Sequence, residues 1–111
     1  MRWTIAQVAG ALGTRPGKEL DPVARVAGVS IDSRTIRAGE LFIAIHGPSH
    51  DGHDHVVSAL ERGAIAAVVA EAQLPRFAGP VSGRCIAVAD TFEALKQLAR
   101  AVRQRLRSWK S

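Results

Sequence analysis

Asp32, Ser33 and Arg34 follow the apolar segment 26–31, and a second polar stretch, from His46 to Asp54, follows the apolar segment 41–45. A hydroxyl, a guanidinium fork and free backbone amides near Gly47 and Gly52 suit an anionic ligand, a phosphate above all. If both apolar segments are strands of an open α/β sheet, both polar stretches lie at strand carboxyl ends, where such sheets bind ligands. A blander arrangement of the first three residues competes with this. Asp32 can cap backbone amides while Arg34 pairs with a carboxylate, and on spacing alone that self-satisfied turn is favoured.

His46, His50, His53 and His55 raise the question of a metal. Structural zinc wants four converging ligands, and here His46 closes a strand, His55 opens a helix and no cysteine is near, so no metal is expected. Some of these histidines are expected to hydrogen-bond loop backbone and one or two to touch a ligand. Asp51 and Asp54 could act as paired carboxylates, but helix capping and loop closure explain them as well. The sequence contains no Gly-x-x-x-x-Gly-Lys-Ser/Thr loop, no Gly-x-Gly-x-x-Gly opening a helix, and no serine in a nucleophile elbow. Binding, with little chemistry of its own, is the reading these residues support.

The elements that would hold these stretches are legible in the periodicity. Thr4 and Gln7 form a capping-box pattern, and Ile5, Val8, Ala9 and Leu12 have helical spacing, which predicts a helix over 4–12 stopped by Gly13. Residues 15–22 read as a loop. Segment 26–31 reads as a strand with Val29 and Ile31 on one face, and Gly39 suits a turn of positive φ. Segment 41–45 is apolar throughout, as expected of a strand covered on both faces. Asp54 is placed to cap a helix over 54–62 with Val56, Val57 and Leu60 inward, and Gly63 to end it. Segment 64–70 is a second buried strand, giving a parallel strand-helix-strand unit. Residues 73–83 read as a surface loop and 84–89 as a further short strand. Asp90 and Glu93 start a long helix whose apolar stripe runs Phe92, Leu95, Ala99, Val102, Leu106, Trp109. The expected fold class is therefore α/β: a small mixed sheet containing a parallel βαβ unit, packed with helices.

A chain of 111 residues with 47% hydrophobic side chains makes one domain with a real core. The single cysteine, Cys85, cannot pair internally, so a reducing compartment fits, and its apolar surroundings make it a small buried hydrophobe. No secretory signal or membrane span is visible, so a cytoplasmic, monomeric protein with no membrane partner is expected. Five of the fifteen basic residues crowd the last dozen positions, and the other ten balance ten acidic ones. A small basic nucleic-acid-binding module is the competing function of another class; it lacks a recognition motif and predicts affinity falling steeply with salt.

The same residues resemble the amino-terminal domain of the Mur ligases, ATP-dependent enzymes that extend the peptide stem of bacterial cell-wall precursors. The likeness runs through Asp32-Ser33-Arg34, then Ala38-Gly39-Glu40-Leu41-Phe42-Ile43-Ala44, then Gly47 to Asp51-Gly52, then Ala59 to Gly63-Ala64 and Val68-Val69. Within the family the opening Trp3-Thr4, the Asp51-Gly52-His53-Asp54 loop and the Asp90-Thr91…Ala94-Leu95…Leu98-Ala99 segment are most similar to the MurF type, which adds D-alanyl-D-alanine. The sibling that adds the third stem residue is the alternative.

This resemblance implies a single substrate-anchoring domain over 1–111, with a core over 1–89 and a long helix over 90–111 leading toward an absent ATP-binding domain. It implies UDP-N-acetylmuramoyl-tripeptide as ligand, with Ser33 near the diphosphate, Pro48, Ser49 and His50 at the uridine, and Arg34 and Asp51 at motif positions. No cofactor is expected on this domain. ATP, magnesium and D-alanyl-D-alanine belong to the full-length ligase, in which an acyl phosphate is attacked by an amine; the fragment alone is expected to be inactive. His55 stands where the family often has phenylalanine, which bears on packing at the helix start.

Overall fold

Side chains that alternate along buried strands set the layering. The structure, a computed structural model, describes residues 3–110, and over 102–110 the helical backbone alone. Its chain order is α1 (Ile5–Ala11), β1 (Gly28–Ser30), β2 (Glu40–Ile43), α2 (Val56–Glu61), β3 (Ala66–Ala70), α3 (Gly79–Ser82), β4 (Cys85–Val88) and α4 (Thr91–Lys110). The strands form one sheet in the order β1-β2-β3-β4, every neighbouring pair parallel, with Val29 opposite Leu41, Leu41 opposite Ala66 and Val68 opposite Ile86. Antiparallel pairing is confined to isolated bridges among the described residues.

Leu41, Ile43, Ala66, Val68, Ile86 and Val88 point to one side, where they meet Ile5 and Val8 of α1 and Ala94 and Leu98 of α4. Phe42, Ala44, Ala67, Val69 and Cys85 point to the other, against Val56, Ala59 and Leu60 of α2. A sheet covered on both faces has no use for polar alternation, which is why segments 41–45 and 64–70 are unbroken apolar runs. The strand-helix-strand unit and the α/β class are as the sequence predicts.

Helix α1 starts as expected: the Thr4 hydroxyl accepts from the Gln7 amide at 3.2 Å and the Gln7 side chain accepts from the Thr4 amide at 2.9 Å. Gly13, Gly39 and Gly63 have φ of 69°, 84° and 111°. At α4 the Asp90 carboxylate accepts from the amides of Phe92 and Glu93.

Four expectations are corrected. The first strand is shorter than 26–31, and Ile31 lies beyond its end, exposed. Asp54 caps nothing. A 3-10 turn over Gly52–His55 comes first, capped by Asp51, and α2 begins only at Val56. The later start puts Val56, Ala59 and Leu60 on the inward face at i, i+3 and i+4, and leaves Val57 exposed. Residues 73–83 are not plain loop: a 3-10 helix spans Glu71–Arg76, and Pro80 sits in the first turn of α3, where a missing amide costs nothing. On α4 the buried face is Thr91, Ala94 and Leu98, one position off the predicted stripe, and Phe92 and Ala99 are exposed. Small Ala94 lets the helix approach the sheet, while the Lys96 ammonium sits 5.3 Å from the centre of the outward Phe92 ring. The side chains of Val102, Leu106 and Trp109 lie outside the described residues.

Candidate functional site

Because all four strands are parallel, their carboxyl ends share one edge, and the two polar stretches meet there over a single cavity of about 480 Å³. Ile31, Asp32, Ser33 and Arg34 line one side; Gly47, His50, Gly52 and His55 line the other, with Phe42 and Ile45 between them.

In the first stretch a 3-10 turn over Ser33–Thr35 is capped by Asp32. Asp32 Oδ1 accepts from the Arg34 amide at 2.9 Å and from Arg34 Nε at 3.1 Å, and Oδ2 accepts from Arg34 Nη2 at 3.0 Å. Those bonds, the side-chain ones foremost, hold the Asp32 carboxyl below its ordinary range and raise the Arg34 guanidinium above its own. The self-satisfied turn is thus what Asp32 and Arg34 form, although the Arg34 side chain remains 84% exposed at the cavity mouth. Ser33 differs. It is 8% exposed, it lines the cavity, and its hydroxyl has no hydrogen-bond partner among the described residues.

The second stretch is a tight loop, and here the expectation of free amides is corrected. The Gly47 amide donates to the His50 carbonyl at 2.8 Å and the Gly52 amide to the Ile45 carbonyl at 2.9 Å. Backbone amides away from water need partners, and these two find theirs within the turn itself. A Cβ on Gly52 would come within 2.7 Å of the Ile45 nitrogen, so the loop closes only around glycine.

Asp51 serves this loop. Its Oδ1 accepts from the His53 amide at 3.0 Å and from His53 Nδ1 at 2.7 Å; its Oδ2 lies 3.6 Å from Arg76 Nη1 and 3.7 Å from His46 Nδ1. Burial by itself pushes the Asp51 carboxyl up, but the His53 hydrogen bonds outweigh it and hold the group below its ordinary range. Asp54 pairs with Arg76 from the 3-10 helix Glu71–Arg76. His53 is 3% exposed, and its Nε2 accepts the Ala70 amide at 3.0 Å.

Of the predicted site residues, Ser33, Arg34 and His50 line the cavity. Pro48 and Ser49 belong to the same loop but do not line it, and Asp51 faces its own turn. His50 and His55 line the cavity, the His53 ring accepts a backbone amide of β3, and His46 lies 3.7 Å from Asp51 Oδ2. Among the described residues no three His, Cys, Asp or Glu side chains converge to hold a metal ion. His55 and the apolar floor of Ile31, Phe42 and Ile45 went unread in the sequence as site residues. Their signal is position: Ile31 and Ile45 each stand just beyond a strand's carboxyl end, where the chain leaves the sheet. The His50 and His55 rings meet edge to face, centroids 5.9 Å apart.

The chain as a whole is similar to known proteins in sequence and fold. A family model described as "Mur ligase family, catalytic domain" matches residues 25–103. The chain is 36% identical over 87 residues to the UDP-N-acetylmuramoyl-L-alanyl-D-glutamate–2,6-diaminopimelate ligase of Geobacter sulfurreducens, covering 72% of this chain and 16% of that protein. It is 40% identical over 81 residues to the UDP-N-acetylmuramoyl-tripeptide–D-alanyl-D-alanine ligase of Bacillus subtilis, covering 73% and 17%. Among solved structures it resembles MurF from Acinetobacter baumannii, with a TM-score of 0.72 and 28% identity over 88% of this chain and 20% of that one. The chain spans about a sixth of the length of the curated relatives it matches.

Proposed function

This chain belongs to the Mur ligase family, and from that premise we propose that it anchors the nucleotide end of UDP-N-acetylmuramoyl-tripeptide for a ligase that adds D-alanyl-D-alanine. The family comprises ATP-dependent ligases of peptidoglycan synthesis. The observation that carries the proposal is the shared cavity: Ser33, a mostly buried residue whose accessible hydroxyl has no partner among the described residues, faces an apolar floor and a histidine loop at the carboxyl edge of a parallel sheet. Ser33 donates to the diphosphate, with the exposed Arg34 guanidinium beside it. His50, on the loop with Pro48 and Ser49, packs against the uridine, and Asp51 keeps that loop closed.

The residues of this chain do not fit ATP or magnesium. No Gly-x-x-x-x-Gly-Lys-Ser/Thr loop occurs in the sequence, and the cavity offers no convergent carboxylates. The bond-forming chemistry is assigned to residues outside this chain. The proposed division is a binding core over 1–89 and a helix over 90–111 leading toward the ATP-binding domain. Anchoring a remote nucleotide contributes by positioning: binding energy gathered far from the reacting carboxylate goes into holding it in place.

The D-alanyl-D-alanine assignment is supported by the MurF structures the fold resembles, from Acinetobacter baumannii and, at a TM-score of 0.54, from Thermotoga maritima in complex with ADP. Curated relatives include diaminopimelate ligases as well. Both substrates carry the same UDP handle, so the cavity does not discriminate between them; amide formation by the full-length protein with one amine or the other does. The anchoring role is tested by calorimetric titration of UDP-N-acetylmuramoyl-tripeptide into wild type and Ser33→Ala. Loss of one hydrogen bond to a charged group weakens binding by about 1–2 kcal/mol, roughly fivefold to thirtyfold. Equal affinities contradict the role given to Ser33.

A further inference from the structure

His53 touches the cavity nowhere, yet it is the most buried ionisable group of the ligand loop. It makes three bonds that leave its ring no freedom. Its own amide and its Nδ1 both meet Asp51 Oδ1, at 3.0 and 2.7 Å, and its Nε2 accepts the Ala70 amide at 3.0 Å. An Nε2 that accepts carries no hydrogen, so the ring is the neutral Nδ1–H tautomer, with Nδ1 donating to the carboxylate. Ala70 is the last residue of β3, and its amide faces a side chain seventeen positions earlier instead of a neighbouring strand.

We propose that His53 is the positioning residue of the ligand loop, a latch that fixes residues 46–52 to the carboxyl end of β3 through the single bond from the Ala70 amide. The proposal rests on the anchoring role given above to the cavity. Asp51 and His53 act as one unit: the carboxylate sets the ring's tautomer, and the ring's far nitrogen reaches the sheet. Charged and titratable groups around the latch are Asp54 on the same turn, His46 across the loop and Arg76 from the 3-10 helix Glu71–Arg76, which lies within ion-pair distance of both aspartates. Without the Ala70 bond the loop keeps its internal hydrogen bonds at Gly47 and Gly52 but loses its only side-chain tie to β3 among the described residues. His50, which lines the cavity, then loses its fixed place. A loop that is binding-competent only a fraction of the time lowers affinity by that fraction.

Two substitutions separate the ring's two nitrogens. His53→Gln places an amide oxygen where Nε2 stands and preserves an acceptor for Ala70; His53→Asn places a donor where Nδ1 stands and loses that acceptor. Both are made in the full chain, with folding checked by circular dichroism and thermal melting, and UDP is the titrated probe. The expected result is that His53→Asn weakens UDP binding roughly tenfold while His53→Gln stays within about threefold of wild type, whatever their melting temperatures. Amide hydrogen exchange without ligand reads the latch directly: protection at Ala70 and across 46–52 falls in His53→Asn and is restored in His53→Gln. Equal exchange and equal affinity in folded His53→Asn and wild type overturn the latch, as does an equal loss in both variants. If wild type binds no UDP while the exchange pattern responds as stated, the anchoring role falls and the latch stands.

Discussion

Arg34 spends its fork on Asp32, whereas the neighbouring Ser33 turns an unpartnered hydroxyl toward the cavity, so adjacent motif residues carry structure and binding separately. The sequence could name the residue types but not this division, because turn closure and ligand binding ask for the same polar side chains. Cys85 was readable as a buried hydrophobe, and it is one: 2% exposed, donating weakly to the Val81 carbonyl at 3.3 Å. Burial pushes its thiol from 9.0 up to about 11. The folded state therefore holds that proton where the unfolded chain releases it. This contribution, of order 2 kcal/mol, is intact below pH 9 and is lost as pH rises toward the folded value. Urea unfolding of wild type should weaken between those limits; in Cys85→Ala the alkaline loss should shrink, and an unchanged slope contradicts the assignment.

At the scale of elements, the buried strands and the capped ends were the most legible features, since apolar runs and capping boxes each have one physical meaning. The loop over 46–54 was not. Its closure depends on a close backbone approach at Gly52 and on Asp51 capping a 3-10 turn, and Asp54, three residues on, carries an equally good capping side chain. The stripe on α4 was displaced for a related reason: Phe92 is the larger hydrophobe, but Ala94 permits closer packing. Substituting Gly52→Ala forces a Cβ against the Ile45 backbone, which should cost about 2 kcal/mol or more in thermal stability. It should also weaken UDP binding beyond what Ser33→Ala alone removes. A variant that melts and binds like wild type would show that the loop does not need this approach.

For the whole molecule, two apolar layers around one parallel sheet serve to bring the polar stretches to a common edge. Leu41 on one face and Phe42 on the other are both fully buried in the central strand β2. Leu41→Ala and Phe42→Ala should each cost about 2–5 kcal/mol in chemical denaturation. Phe42→Ala should in addition weaken binding, because that ring also lines the cavity, and Leu41→Ala should not. The central claim is that the turn at Ser33 and the loop at His50 form one binding site. Nuclear magnetic resonance titration of the chain with UDP tests it most directly. Amide shifts at Ser33 and Arg34 that move together with those at Gly47, His50 and His55, along a single binding curve, are the predicted result; perturbation of one stretch alone, or of a surface elsewhere on the sheet, would contradict it.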